Sequence, residues 1–172
     1  MIYPNGHIDY LMYKNGGALI GVAKVKVPTI KYKTVNATGA GVMGDVTIPL
    51  AGMVEPMTAN IEFSSVTDAI VELGTNEWHD VVLYAADQYF DSVTRTEELE
   101  QNRFEMSIRP TEINQGTIQT ASAADASGTY SVCKYTVYKD GNKVMDIDQF
   151  NQVHEVNGVD NAAKVRKALG MM

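Results

Sequence analysis

Three consecutive segments set the reading of the chain: Val22-Ala23-Lys24-Val25-Lys26-Val27-Pro28-Thr29-Ile30-Lys31-Tyr32-Lys33-Thr34-Val35, then Asn36-Ala37-Thr38-Gly39-Ala40-Gly41-Val42-Met43-Gly44-Asp45, then Val46-Thr47-Ile48-Pro49-Leu50. In the first, Ala23, Val25 and Val27 alternate with Lys24 and Lys26, and Ile30, Tyr32 and Thr34 alternate with Lys31 and Lys33, the period of a β-strand. Pro28 lacks the amide hydrogen that a ladder needs and marks an edge or a bend. Val46, Ile48 and Leu50 alternate again. The polar, glycine-rich segment between these arms is either a ligand site or a contact arm reaching beyond its own domain.

Gly39, Gly41 and Gly44 match the spacing G-x-G-x-x-G. A dinucleotide site of that kind needs a buried strand before the glycines and a helix opening at them, whose first amides face the pyrophosphate. Here the preceding arm carries Lys31 and Lys33, and the following one alternates and contains Pro49. With no helix to present its amides, the nucleotide reading loses to a loop that is flexible or ordered by a partner.

Outward from this stretch the chain reads mostly as strands. Tyr10–Tyr13, the turn Asn15-Gly16-Gly17 and Ala18–Val22 form an early hairpin. Met57, Ala59, Ile61 and Phe63 make a period-2 apolar face. Val66, Ala69, Ile70 and Leu73 sit at helical spacing, with Ser65 as N-cap and Gly74 as the stop. Trp78–Ala86 is a strand, Asp87–Asn102 a polar, acidic connection, and Phe104, Met106 and Ile108 one face of a half-buried strand. Strands at Gly116–Thr120 and Tyr130–Lys139 are divided by the small-residue run 121–128. Asp140-Gly141 turns the chain into Lys143–Val153. Asn157-Gly158 turns it again, and a helix over about 160–169 follows, with Asp160 as cap and Lys164, Arg166 and Lys167 at its C-terminal end, where the helix dipole favours cations. The expected fold is mainly β, an antiparallel β-sandwich or half-barrel with two short α-helices. No repeat or domain boundary appears, so residues 1–172 read as a single domain with a projecting loop at about 34–45.

The chain has 172 residues and a formal charge of −7, unevenly spread. Residues 1–33 hold five lysines against Asp9, residues 34–94 hold nine acids and no Lys or Arg, and the remainder is close to balanced. Such a chain is a poor candidate for gripping nucleic acid, which requires a basic surface. No window approaches the ~20 apolar residues of a membrane span, and the first residues lack the features of a signal peptide, so cytoplasmic synthesis is expected. Cys133 is the one cysteine; it falls within an alternating run and reads as a small buried hydrophobe. The sequon at Asn36-Ala37-Thr38 then has no bearing.

Catalytic constellations are weak. His7, His79 and His154 are far apart and form no metal-ligand pattern. A Cys133–His154 nucleophile–base pair needs an exposed, acidified thiol, which a mid-strand position does not offer. Asp146 and Asp148 share a strand face, without calcium-loop spacing. Trp78 and the nine tyrosines lack the interleaved basic residues of a base-stacking surface. No catalytic, metal or cofactor residue is assigned, and a non-enzymatic chain is expected. Long edge-prone strands must be covered, and joining sheets between subunits into a closed barrel covers them completely. An assembling structural protein follows.

The order of segments resembles the major tail tube proteins of contractile-tailed bacteriophages and related bacteriocin particles. The resemblance is densest at Tyr135-Thr136-Val137, Asp140-Gly141, Val144–Asp148, Val156-Asn157-Gly158-Val159-Asp160 and Arg166–Gly170. It extends to Leu19-Ile20-Gly21, Pro28, Gly39–Gly44, Met57 and the stretch Arg109–Ile113 with Gly116-Thr117, and is weakest over 75–102. It implies six-subunit rings whose sheets join into a continuous inner β-barrel, stacked into a hollow tube inside a contractile sheath. It also implies a tube initiator at the baseplate, a tape-measure protein, a tail terminator, assembly in the host cytoplasm, no cofactor, no stable membrane association, and DNA passing the lumen without specific binding. The segment Thr34–Asp45, with Thr34, Asn36, Thr38, Gly39, Gly41, Met43, Gly44 and Asp45, is implied to touch the neighbouring ring. Lys24, Lys26, Lys31 and Lys33 are expected to face acidic surface of the 45–91 region on a neighbouring subunit. The alternatives are a ring-forming tube protein of a secretion apparatus and a small β-barrel that binds a ligand through Gly39–Gly44.

Overall fold

The structure, a computed structural model, describes residues 2–14, 17, 19–21, 24–39, 43–64, 67–120 and 125–171. Twelve strands and two helices succeed one another within them: β1 (Ile2–Lys14), β2 (Leu19–Ile20), β3 (Lys24–Lys26), β4 (Tyr32–Ala37), β5 (Val46–Val54), β6 (Met57–Phe63), α1 (Asp68–Leu73), β7 (His79–Asp91), β8 (Thr96–Asn114), β9 (Ala126–Lys139), β10 (Asn142–Asp148), β11 (Val153–Val156), β12 (Val159–Asp160) and α2 (Ala163–Ala168). The fold is mainly β and every strand pairing is antiparallel.

The main sheet runs β12-β11-β10-β9-β8-β7-β1-β2 and forks at β9. Beside β8 on one flank, β9 pairs on the other with β6 over Ala126–Val132 and with β10 over Lys134–Lys139. The changeover falls on Cys133. There the β8–β9 register slips, Ser107 facing Lys134 while Ile108 faces Val132. An extra residue in one strand bends it and turns its twist, so Cys133 bulges where the sheet folds over. The expectation of a buried cysteine in an unbroken alternation is therefore corrected. Cys133 is half-buried, and the buried positions change phase from Tyr130 and Val132 to Tyr135.

Folding over brings one apolar face of each branch together. Met57, Ala59, Ile61 and Phe63 of β6 meet Val81 and Leu83 of β7, Met106 and Ile108 of β8, and Tyr130, Val132 and Tyr135 of β9. Each large side chain fully buried in this way contributes about 1.5–3 kcal/mol of transfer free energy. Tyr130 lies over Gly128 so closely that a Cβ there would stand 2.6 Å from its Cζ; only glycine leaves the ring its place. α1 closes this region with Ile70 and Leu73 buried. Its N-cap is Thr67, and Gly74 ends it in the right-handed region rather than as a left-handed cap; the expected cap Ser65, with Val66, lies outside the described residues.

Residues 87–102 are not the connection expected. β7 continues to Asp91 and β8 begins at Thr96, so most of that stretch is a hairpin arm paired with the first half of β1. Its inward side is polar, so no apolar alternation marks it. Asp87 accepts from Asn102 Nδ2 at 2.6 Å and pairs with His7, Lys139 meets Glu100 at 3.1 Å, and Lys139 stands 5.4 Å from the centre of the Tyr89 ring. Residues 116–120, expected as a strand, form no element; Gly116 donates to Asn114 Oδ1 and turns the chain. The other turns stand where expected. Asp140-Gly141 and Asn157-Gly158 have positive φ at both positions, the hairpin geometry such pairs favour, although β10 and β11 are separate strands divided at 149–152. β2 pairs β1 as the early hairpin requires, Met12 opposite Ile20.

Candidate assembly interface

The opening stretch divides between two sheets. β3 joins β6, with Lys24 opposite Glu62 and Lys26 opposite Asn60. The chain bends at Pro28, which is buried, and restarts as β4. Among the described residues β4 pairs only with β5, as a separate two-stranded sheet in which Thr34 faces Pro49 and Ala37 faces Val46. β5 runs four residues beyond the expected Leu50, to Val54.

This arm stands on a narrow root. Tyr32 packs edge-on against His154 of β11, ring centres 5.5 Å apart. The amide of Glu55 donates to Lys31 O at 2.8 Å, and Gln149 Nε2 donates to Glu55 O at 3.2 Å. Gly52 touches Ala162, just before α2, and holds φ +68°. α2 itself is pinned by Arg166, which donates to Gln152 O at 2.7 Å and to Asp160 Oδ2 at 2.6 Å, while Asp160 Oδ1 accepts from Ala162 N at 2.9 Å. The Arg166 guanidinium and that amide hold the Asp160 carboxyl below its usual range. Asp160 thus caps the segment as expected, though the first helical turn begins after Ala162. Val165 and Leu169 are exposed rather than buried.

Past the root the arm carries exposed side chains on both faces, Tyr32, Val35, Val46 and Ile48 among them. A two-stranded ribbon alone in water is marginal at best. Of the loop residues singled out in the sequence, Thr34 and Asn36 lie on β4, and Thr38, Gly39, Met43, Gly44 and Asp45 are exposed at or near the tip. Gly41 lies outside the described residues. Asn36 Oδ1 accepts from Thr47 Oγ1 across the arm at 3.1 Å. β5 follows the glycines directly, so no helix opens there.

The four lysines divide as well. Lys24 pairs with Glu62 of its own chain at 3.3 Å, both side chains well exposed. Among the described residues Lys26, Lys31 and Lys33 have no ion-pair partner. Lys14 pairs with Glu72.

At the opposite end of the main sheet lies an open edge. β1 is bordered by β7 along one flank, but on the other, among the described residues, only Met12 and Tyr13 are paired, by β2. Among the described residues no strand covers Ile2 to Leu11, where Ile2, Tyr3, Ile8 and Leu11 are exposed. The far end is short by contrast: β12 has two residues, and Asn161 N donates to His154 O at 2.8 Å. One end of the sheet therefore offers a long bare edge, and the other a projecting arm.

The remaining candidates dissolve. Cys133 donates to Ser107 O at 3.8 Å, and burial, ahead of the nearby Asp148 and Asp80, pushes its thiol up, away from a reactive thiolate. His154 contacts Asn161 Nδ2 through Nδ1 at 3.1 Å, and His79 contacts Thr75. Asp146 accepts from Thr136 and Lys143, while Asp148 accepts from the amides of Phe150 and Asn151 and ties the turn after β10. Trp78 packs edge-on against Phe150. Among the described residues no cluster of His, Cys, Asp and Glu is arranged to hold a metal ion.

Comparison with known proteins gives the arrangement a family. The sequence is 26% identical over 170 residues to the tail tube protein of Escherichia phage P2, covering 93% of this chain and 94% of that protein. Its fold resembles a chain in the cryo-EM structure of the sheath/tube terminator of an extracellular contractile injection system, PVC, in the extended state. The TM-score is 0.54 at 16% identity, over 79% of this chain and 97% of that one. A chain of the PVC sheath–tube complex in the extended state gives a TM-score of 0.51 at 16% identity, over 75% of this chain and 87% of that one. The family of phage tail tube protein FII matches residues 8–170. Matched over nearly its whole length, the chain belongs to that family, and it is a structural subunit of the tail tube.

Proposed function

We propose that residues 1–172 act as one tail-tube domain, that six copies close into a ring, and that rings stack into a hollow tube. The observation that carries this is that the subunit has unlike ends: an open β1 edge at one end of the main sheet and, rooted at the other end, the separate β4–β5 arm. Unlike surfaces joined head to tail generate a ring when the rotation closes, and closure removes the exposed edge. The end of the arm from Thr34 to Asp45, with Asn36, Thr38, Gly39, Gly41, Met43 and Gly44, reaches the next ring and fixes the stacking.

Six copies at −7 each make the assembly strongly acidic. A lumen that shows part of this charge repels phosphate over roughly one Debye length, ~8 Å at physiological salt. Duplex DNA then slides without the counterion release that a basic wall would produce. Lys26, Lys31 and Lys33 turn to acidic surface on a neighbouring subunit, whereas Lys24 already has Glu62. The sheath surrounds the tube, an initiator at the baseplate and a tape-measure protein start and measure it, and a terminator ends it. Assembly takes place in the host cytoplasm, and the mature tube serves DNA passage or membrane puncture. No step calls for a catalytic group or cofactor.

Deleting residues 39–44 tests the assignment of the tip. The variant is expected to keep the thermal stability of the wild-type subunit and to form rings that do not lengthen into tubes under electron microscopy. Full-length tubes from the deletion variant would contradict it.

A further inference from the structure

The folded-over sheet has an opening, and its shape names what fills it. β2 leaves β1 after Ile20 pairs with Met12, and β3 then joins β6. Between the bare edge of β1 and the outer edge of β3 this leaves a wedge of about 360 Å³. Ile8 and Tyr10 line it from β1, Val25 from β3 and Val27 from the residue after it, and Leu83 and Phe104 form its floor. Half-buried apolar side chains beside unpaired backbone amides are what an added strand would cover.

We propose that the wedge receives β5 of a second copy, which adds its outer edge to β1. This rests on the ring reading above and names the partner strand within it. The match has three parts. The first is pattern: Val46, Ile48 and Leu50 alternate along β5, so one face meets the floor while Thr47 faces away. The second is length: the part of β5 clear of the root, Val46–Leu50, spans ~17 Å, enough to cover the ~13 Å of β1 from His7 to Tyr10 that lines the wedge, at ~3.3 Å per residue. The third is position: the arm roots at the β11–α2 end of the sheet and the wedge lies at the β1 end, so each copy gives one strand and takes one. The tip beyond Asp45 stays outside the wedge, available to the next ring.

Hydrogen exchange on the wild-type protein, assembled and unassembled, tests this without a variant. Amides in segments 2–11 and 46–50 are both expected to slow by at least about tenfold on ring formation. Mixing Ile8→Cys and Ile48→Cys chains, each carrying Cys133→Ser, is expected to give a disulfide-linked dimer that neither chain forms alone. Rings in which either segment exchanges at its unassembled rate would overturn the strand assignment and leave the ring reading standing. Failure to form rings under any condition, with initiator present, would overturn the ring reading and this inference with it.

Discussion

Replacing Gly52 by alanine probes the root of the arm with a magnitude that the structure supplies. Gly52 sits at φ +68°, and a Cβ there would stand 2.8 Å from Ala162 Cβ, 2.9 Å from its Cα and 3.2 Å from its N. Ala162 cannot step aside. It is buried, its amide donates to Asp160, and its carbonyl accepts from Arg166 N at 2.9 Å. The left-handed backbone costs a non-glycine residue about 1–2 kcal/mol, and forcing extra volume into a packed contact costs about 1–3 kcal/mol more. Gly158→Ala is the matched control: φ +77° with nothing within 4 Å of the new Cβ, so only the backbone term of about 1–2 kcal/mol applies. Denaturant unfolding should therefore place Gly52→Ala below Gly158→Ala by about 1–3 kcal/mol. For a chain of this size that is about 2–4 °C in Tm for each kcal/mol. Hydrogen exchange should show the loss concentrated in 159–171 and at the arm root. Equal losses in the two variants would mean that α2 does not bear on the arm, and the account of the root would be wrong.

Other expectations concern charge and pH. Arg166 holds the Asp160 carboxyl below its ordinary value, so the stability it contributes is present above about pH 4 and lost as pH falls through the lowered value. Arg166→Gln should remove that acid-dependent step from the exchange of α2, and identical acid profiles in variant and wild type would refute it. Burial pushes Tyr130 and Tyr135 up to about 12. Their contribution is full below the unfolded value of about 10 and is lost as pH rises from there toward 12. Ultraviolet titration should show part of the tyrosine absorbance change appearing only with loss of near-ultraviolet dichroism; completion of the change in the folded protein would contradict this. Reversing Lys26, Lys31 and Lys33 to Glu should leave the subunit folded and lower ring yield in a salt-sensitive way, since surface pairs are screened. Unchanged yield would remove these lysines from the interface.

What the sequence revealed follows from where one face was buried. Met57–Phe63 alternates cleanly because one face enters the core, and Asp140-Gly141 and Asn157-Gly158 announce turns because few other residues accept positive φ at both positions. The hairpin over 87–102 stayed hidden because its inward side pairs Asp87 with Asn102 and Glu100 with Lys139. A strand held by polar cross-strand pairs carries no apolar period. The bulge at Cys133 stayed hidden within the alternating run Tyr130–Lys139, because nothing local says which neighbouring strand changes there. For the assembly surface, Val22–Leu50 identified the arm, and Pro28 identified the bend. The wedge that faces a partner was not legible, because it forms where β2 and β3 choose different neighbours, a choice that no single segment encodes.

The central claim is that this subunit builds a hollow tube from closed rings. Cryo-EM of the purified protein, assembled in the presence of its tube initiator, tests it most directly. The account predicts stacked six-fold rings with an open bore, a continuous inner barrel, and a strand of the neighbouring copy running along β1. Rings absent under these conditions would contradict it, whereas rings in which the edge from Ile2 to Leu11 remains bare to solvent would contradict the strand assignment alone.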